Sequence, residues 1–286
     1  MPDKLIPSPE EHFTTEPVEG GCEIIRYTGP GGDVVIPVEI GGEKVVAILG
    51  RTPTETEQMI ATEFGRPGGP GFAYCTALTS VVIPDGVTKI GEWAFGGCSS
   101  LTSVVIPDSV TEIGTWVFAS CSALTSVAIP DSVTSIGEYA FFHCSSLISV
   151  VIPDSVSVIG REVFEGCSSL VSVVIPDSVT EIGFSAFSGC SSLASVVIPD
   201  SVTEIDSSAF EGCSSLASVI IPDSVTYLGW FVFRDCPSLT SVVIPDSVTK
   251  IDRTSFLHCP ALTLRVREGS CAHRYAIDHG VPFELI

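Results

Sequence analysis

Ile106-Pro-Asp-Ser-Val-Thr-Glu-Ile-Gly-Thr-Trp-Val-Phe-Ala-Ser-Cys-Ser-Ala-Leu-Thr-Ser-Val-Ala128 decides the fold, because the chain repeats it, nearly unchanged, with a step of 23 residues. The string Ile-Pro-Asp begins at Ile83, Ile106, Ile129, Ile152, Ile175, Ile198, Ile221 and Ile244. A phenylalanine keeps the same step from Phe72 to Phe256, and a leucine from Leu78 to Leu262. A fixed period of this size is the signature of an architecture built by stacking repeats.

Within the repeat, Val104 and Ile106 alternate with Ser103 and Val105, which is the period of a strand. Pro107-Asp108-Ser109 turns the chain: proline presets φ, and an aspartate can bond the backbone that follows. Val110 and Ile113 form a second short extended piece that ends at Gly114. Trp116 to Cys121 is too short for an ordinary helix, so a single helical turn is predicted. No repeat can bury Val104, Ile106, Val110, Ile113, Phe118, Cys121 and Leu124 alone, but stacked repeats cover one another. The expected fold is a β-rich solenoid of short strands and short helical turns.

The ends depart from the period. Residues 1–19 are rich in Pro and Glu and read as a disordered segment. Residues 20–71 read as an N-terminal cap and a degenerate first repeat, with strands at Cys22–Tyr27 and Asp33–Pro37, followed by an inserted loop over 51–71. Residues 72–262 hold the tandem repeats. Residues 263–286 read as a C-terminal cap with a short helix over Glu268–Ala276.

Composition limits the function. The 286 residues are 45% hydrophobic and only 16% charged, with a net charge of −21. Such an anionic surface repels phosphate backbones and anionic lipid headgroups, so nucleic acid and membrane surfaces are poor partners. No apolar run reaches the length of a membrane-spanning helix. The start, Met1-Pro-Asp-Lys-Leu-Ile-Pro7, shows no secretory signal pattern.

The pattern Ile-Pro-x-Ser-Val-x-x-Ile-Gly-x-x-Ala-Phe-x-x-Cys-x-x-Leu, seen at Ile175 to Leu193, resembles the BspA-like leucine-rich repeats, also called the Treponema pallidum type. Thr28-Gly-Pro-Gly-Gly-Asp-Val-Val-Ile-Pro37 and Glu268-Gly-Ser-Cys-Ala-His-Arg-Tyr-Ala276 are similar to the ends of that family. The resemblance covers roughly residues 20–286. It implies a right-handed leucine-rich-repeat solenoid with N- and C-terminal caps. It also implies a non-enzymatic protein, secreted or on the cell surface, that adheres to a protein or extracellular-matrix ligand. The family has no fixed functional residues, so it assigns none here.

The residues themselves offer several candidate sites. Nine of the eleven cysteines lie on the period, from Cys75 to Cys259. None forms a close pair of the Cys-x-x-Cys kind, so no metal site is signalled; a buried, inert thiol column is expected. Asp108, Asp131, Asp154, Asp177, Asp200 and Asp223 form an acidic stripe that reads first as turn chemistry and second as a weak calcium-binding stripe. Ser and Val at outward strand positions make an uncharged face that can recruit a partner. The variable positions carry the individuality of the chain: Trp93, Trp116 and Tyr139 share one position in adjacent repeats, with Phe142 and His143 beside them. Tyr227, Trp230 and Phe231 form a second cluster. Aromatics are enriched at binding hot spots and also stack on sugars, so a protein ligand and a glycan are both open. Packing between repeats is the plainer reading of the same rings. The five histidines show no spacing for a catalytic triad, and neither a catalytic residue nor a cofactor is expected. A structural spacer without ligand is the third reading, and the oligomeric state is open.

Overall fold

The computed structural model describes residues 6–51, 53–54 and 69–286. The chain is a β-solenoid that divides into two compact units, Met1–Leu147 and Ile148–Ile286. Most of the expected loop over 51–71 lies outside the described residues.

The first unit contains β1 (Phe13–Val18), β2 (Gly21–Tyr27), β3 (Gly32–Val35), β4 (Glu39–Ile40), β5 (Glu43–Ile48) and β6 (Leu78–Val82). It continues through β7 (Lys89–Ile90), β8 (Ser103–Val105), β9 (Glu112–Ile113), β10 (Ser126–Ala128) and β11 (Ser135–Ile136). One ladder runs β2-β5-β7-β9-β11, all parallel, and a second runs β3-β6-β8. Ser80 pairs with Ser103 and Glu112 with Ser135, so the 23-residue period is the register of the sheet. β8 reads exposed, buried, exposed, as the alternation requires. Phe13–Val18 was expected to be disordered, yet it pairs antiparallel with β2. Its one buried side chain, Phe13, packs its ring 5.4 Å from Tyr27 and 6.3 Å from Phe72.

The second unit contains β12 (Ser149–Val151), β13 (Val158–Ile159), β14 (Ser172–Val174), β15 (Glu181–Ile182), β16 (Glu204–Ile205) and β17 (Ser218–Ile220). β18 (Tyr227–Leu228), β19 (Ser241–Val243), β20 (Lys250–Ile251), β21 (Thr263–Val266) and β22 (Phe283–Leu285) follow. Its ladders are parallel but interrupted: Ser195–Val197 forms no strand, and β16 and β18 fall in separate sheets. Inward side chains register the opening. Val196 and Ile198 are 8% and 7% exposed, against 0% and 1% for Val242 and Ile244 in the paired region.

Tight turns stand where a helical turn was expected. Ala119 N–H donates to Trp116 O (3.1 Å) and Cys121 N–H to Phe118 O (3.1 Å). Trp116 and Ser120 both adopt left-handed backbone, at φ 59° and 58°. The turns stack through their own ladder: Trp93 N–H reaches Thr115 O at 3.0 Å, and Phe95 N–H reaches Val117 O at 2.9 Å. Backbone groups of the turns are therefore paired partly within the repeat and partly with the next one.

Phenylalanine fills the centre. Tyr27, Phe72, Phe95, Phe118 and Phe141 stack at 4.8, 4.9, 5.5 and 5.5 Å in the first unit. Phe164, Phe187, Phe210, Phe233 and Phe256 stack at 5.4 to 5.6 Å in the second, closed edge-on by Tyr275 at 6.0 Å. Cysteine recurs beside this column because it is small and still donates weakly. Cys98 Sγ donates to Phe72 O at 3.1 Å, Cys121 to Phe95 O at 3.2 Å and Cys213 to Phe187 O at 3.3 Å. Burial pushes the Cys75 thiol up to about 11 and the Cys213 thiol up to about 12. Eight of the nine periodic thiols are buried as expected, but Cys259 is only half-buried, because no further repeat follows it. The terminal helix α1 (Cys271–His279) starts on Ser270, whose Oγ accepts from His273 N–H, and stops at left-handed Gly280, φ 66°.

Candidate functional site

The left-handed turn position changes its residue from repeat to repeat. In the first unit it carries Trp93, Trp116 and Tyr139, each at φ 59°. In the second it carries Glu162, Ser185, Ser208 and Phe231, at φ 53°, 52°, 59° and 60°. A bulky side chain in left-handed backbone costs about 1–2 kcal/mol. Glu162, Ser185 and Ser208 make the same turn, so the fold does not require rings there.

The rings of the first unit nevertheless form one column. Tyr74 lies 6.1 Å from Trp93 with planes 23° apart, Trp93 lies 5.2 Å from Trp116 at 11°, and Trp116 lies 3.9 Å from Tyr139 at 4°. Phe142 meets Trp116 and Tyr139 edge-on at 5.2 and 5.9 Å, and His143 meets Phe142 edge-on at 4.3 Å. Two glycines give the rings room. A Cβ at Gly96 would sit 2.3 Å from the Trp93 ring, and one at Gly97 would sit 2.5 Å from the Tyr74 ring. Trp93, Trp116, Tyr139 and Phe142 are all half-buried. Both faces of Trp116 are covered by its neighbours, so the column offers ring edges outward. Tyr74 is the member that periodicity misses: it aligns with Gly97, not with Trp93, and nothing in the repeat pattern marks it.

The second cluster does not assemble in the same way. Lys250 Nζ sits over the Tyr227 ring at 4.8 Å, and the Arg234 guanidinium sits over Phe231 at 4.8 Å. Arg161 covers Phe184 likewise at 4.6 Å. Trp230 is 61% exposed. Its side chain hydrogen-bonds Asp252, which burial would raise but which Thr254 and Trp230 together hold below the usual carboxylate range.

Charge gathers on the turn side of the second unit. Arg234 pairs with Glu211 at 3.2 Å and Asp235 at 2.9 Å, and His258 Nδ1 lies 2.7 Å from Asp235. Glu165 stands out: burial first, then the charge and hydrogen bond of Glu162 and the charge of Glu211, push its carboxyl up to about 7. A raised carboxyl holds its proton more tightly folded than unfolded, so its ionisation costs stability as pH rises from about 4.5 through about 7. Glu165→Gln is therefore expected to raise the melting temperature near pH ~8 and to leave it unchanged near pH ~4. The gain is about 1 kcal/mol or less, because the group is partly solvated. A melting temperature for the variant below that of the native chain at the higher pH would refute this assignment.

The acidic stripe is exposed at Asp108, Asp131, Asp154, Asp177, Asp200 and Asp223. The turn beside it is closed by backbone, with Val110 N–H donating to Pro107 O at 3.1 Å. Serine ties the turn to the repeat before it: Ser109 Oγ donates to Val87 O, and Ser132 Oγ to Val110 O, each at 2.7 Å. Among the described residues no three His, Cys, Asp or Glu side chains converge as a metal site. The Ser/Val strand positions are open, with Val151, Val174, Val197 and Ile220 of the second unit 62%, 58%, 80% and 67% exposed. No helix among the described residues is long and apolar enough to cross a membrane.

Fold and surface together define a repeat scaffold of the leucine-rich kind. The BspA type leucine rich repeat region matches residues 69–194 and 135–263, in six copies. That exceeds half of the chain, and the chain belongs to this family. Among solved structures it is similar to a leucine rich cell surface protein from Faecalibacterium prausnitzii, at 26% identity, over 99% of this chain and 95% of that one, with a TM-score of 0.53. A leucine rich repeat protein from T. pallidum is similar at 26% identity over 98% of each chain, with a TM-score of 0.41. No curated protein matches the chain.

Proposed function

We propose that the chain is a non-catalytic recognition scaffold that binds a protein ligand along the aromatic column of its first unit. The observation that carries this reading is the column itself: large rings occupy a left-handed position that Glu162, Ser185 and Ser208 fill without them. Half-exposed, pre-stacked rings lose little freedom on binding, which is the property of hot-spot residues. A protein surface fits ring edges better than a sugar does, because a sugar needs a free ring face and both faces of Trp116 are taken. The non-catalytic part of this reading rests on the repeat family. Display at a cell surface accords with the F. prausnitzii relative, a leucine rich cell surface protein, and an extracellular-matrix protein is the ligand class proposed here.

The test compares the native chain with a Trp93→Ser, Trp116→Ser, Tyr139→Ser variant on a panel of purified matrix proteins and on a glycan array. A hot-spot cluster of this kind should carry about 3 kcal/mol, so the variant should bind its protein ligand about 100-fold more weakly while keeping its far-ultraviolet circular dichroism. Equal binding by both chains would remove the column from the site. Binding to the glycan array alone would replace the protein ligand with a sugar.

A further inference from the structure

The opening between β16 and β18 holds a cavity of about 260 Å³, lined by Thr203, Glu204, Ile205, Asp206, Thr226 and Tyr227. The repeats on either side are closed by backbone. Thr203 N–H reaches Thr180 O and Asp206 N–H reaches Ile182 O, each at 2.9 Å. Thr249 N–H reaches Thr226 O and Asp252 N–H reaches Leu228 O, again at 2.9 Å. Across the opening, Thr226 N–H and Gly229 N–H make no such bonds to Thr203 O and Ile205 O. Two carbonyl oxygens thus lack the donor that the period supplies elsewhere, and each takes one from water or from a ligand. The side chains around them are acidic, aromatic, hydroxylic or apolar, and none of the six is basic. Glu204 makes no ion pair among the described residues, and Asp206 uses Oδ1 to accept from Ser207 N–H at 2.6 Å. Lys89, Glu112, Glu204, Tyr227 and Lys250 share one strand position of the repeat. Each cation in it reaches across to its neighbour: Lys89 Nζ lies 2.8 Å from Glu112, and Lys250 Nζ lies 4.8 Å from the centre of the Tyr227 ring. Glu204 and Tyr227 are adjacent members with no cation between them, an acid like Glu112 beside a ring that already takes an ammonium from the repeat that follows.

We propose that the opening between β16 and β18 is a binding site for an alkylammonium group, with Glu204 as its ion-pair partner and the Tyr227 ring as its cover. An ammonium group brings N–H donors and no acceptor, which matches the Glu204 carboxylate and the open carbonyls of Thr203 and Ile205. The ring attracts the same charge through its electron-rich face. Asp206 adds a second negative charge to a cavity without a positive one, so cations are drawn in and anions are repelled. The cavity is smaller than the about 300–1,000 Å³ that a drug-sized ligand needs, so it takes one side chain or one head group. A metal ion fits less well, because only two carboxylates line the cavity and no three ligating side chains converge among the described residues. The site lies in the second unit and shares no residue with the aromatic column, so either reading can fail alone.

The experiment titrates the full chain, isotope-labelled at its tyrosine rings, with Nα-acetyl-lysine methylamide and separately with tetramethylammonium chloride. The chain has five tyrosines, and the Tyr227 resonance is assigned by its loss in Tyr227→Val. Tyr227 should shift with saturation at concentrations on the order of 1–10 mM, while the other four tyrosines stay in place. The Nε-acetylated lysine derivative, which keeps the stem and loses the charge, should bind about ten-fold more weakly or worse. Glu204→Gln should weaken binding of the charged probe about ten-fold, and Glu112→Gln, whose acid already holds Lys89, should not change it. Tighter binding of the lysine probe assigns the site to a lysine side chain of a protein ligand. Tighter binding of tetramethylammonium assigns it to a small quaternary amine, and both support the proposal. No shift of Tyr227 up to about 50 mM of either probe would overturn it. So would equal binding of the acetylated derivative, or unchanged binding by Glu204→Gln. The charged and acetylated probes are compared on the native chain, so that readout stands even if a variant fails to fold.

Discussion

Phe210→Ala is expected to lower the stability of the chain by about 3–5 kcal/mol, the range for emptying a fully buried phenylalanine site. Phe210 is 0% exposed and lies between Phe187 at 5.5 Å and Phe233 at 5.6 Å. Two parallel stacks are lost together, each worth about 0.5–1.5 kcal/mol beyond area burial and contained within that range. The hole cannot collapse easily, because its walls are rings fixed by hydrogen-bonded turns. Phe210 N–H is bonded to Val232 O at 2.9 Å, and Cys236 Sγ donates to Phe210 O at 3.2 Å. A solenoid passes stability only between neighbours, so the damage stays local and weakens the coupling of the repeats on either side. Denaturant unfolding followed by Trp230 fluorescence, in a Trp93→Phe, Trp116→Phe background that removes the other two tryptophans, reports the next repeat directly, and its midpoint should fall furthest. Phe210→Leu, which keeps most of the volume, should cost less than half as much. A loss under about 1 kcal/mol for the alanine variant would mean that the phenylalanine column is not the structural axis.

What the sequence made legible follows from how each feature is encoded. The register of the strands is the period itself, so Ser149 opposite Ser172 and Glu181 opposite Glu204 could be read from spacing alone. The inward set, Val104, Ile106, Val110, Ile113, Phe118, Cys121 and Leu124, was legible because stacking places identical residues over one another, and all seven are buried. The left-handed turn was not, because tryptophan, tyrosine and glutamate at Trp116, Tyr139 and Glu162 give no hint of positive φ. The signal lay four residues on, where Gly97, Gly166, Gly189 and Gly212 recur in register with Ser120 and His143, as a left-handed site would require. β1 was illegible for another reason. Thr14 to Val18 have no buried member, and the strand exists through backbone pairing with β2. In the candidate site, period placed Trp93, Trp116 and Tyr139 in one line, but only geometry shows that the rings lie flat on one another. Nor could spacing distinguish them from Tyr227 and Phe231, whose faces are taken by cations from Lys250 and Arg234.

Gly137→Ala is expected to cost about 2–4 kcal/mol, as overpacking against backbone together with weakened ladder hydrogen bonds. A Cβ there would meet Thr115 N at 2.4 Å, Gly114 C at 2.5 Å and Gly114 O at 2.7 Å. These are main-chain atoms, so the repeats themselves must separate, and Gly137 N–H to Ile113 O, 2.7 Å, is the bond that stretches first. Gly229 occupies the same place in its repeat but follows Asp206, and the ladder there is open between β16 and β18. Its added Cβ would first meet Ser207 Oγ at 3.0 Å, a hydroxyl that can rotate, and then Ser207 N at 3.5 Å. Gly229→Ala should therefore be neutral, or stabilise by about 0.4–1 kcal/mol through the unfolded chain. Asp206 and Asp252 show what makes a side chain acceptable at this position. The Asp206 carboxylate accepts from Ser207 N–H at 2.6 Å, and that of Asp252 accepts from Thr254 N–H at 2.9 Å, so each holds the turn that follows. Alanine has no such oxygen, and Gly137→Asp should recover part of the stability that Gly137→Ala loses. Thermal unfolding of the three variants decides the matter. Equal losses for Gly137→Ala and Gly229→Ala would show that the close approach of neighbouring repeats, and the opening beside Asp206, do not govern how tightly the solenoid stacks.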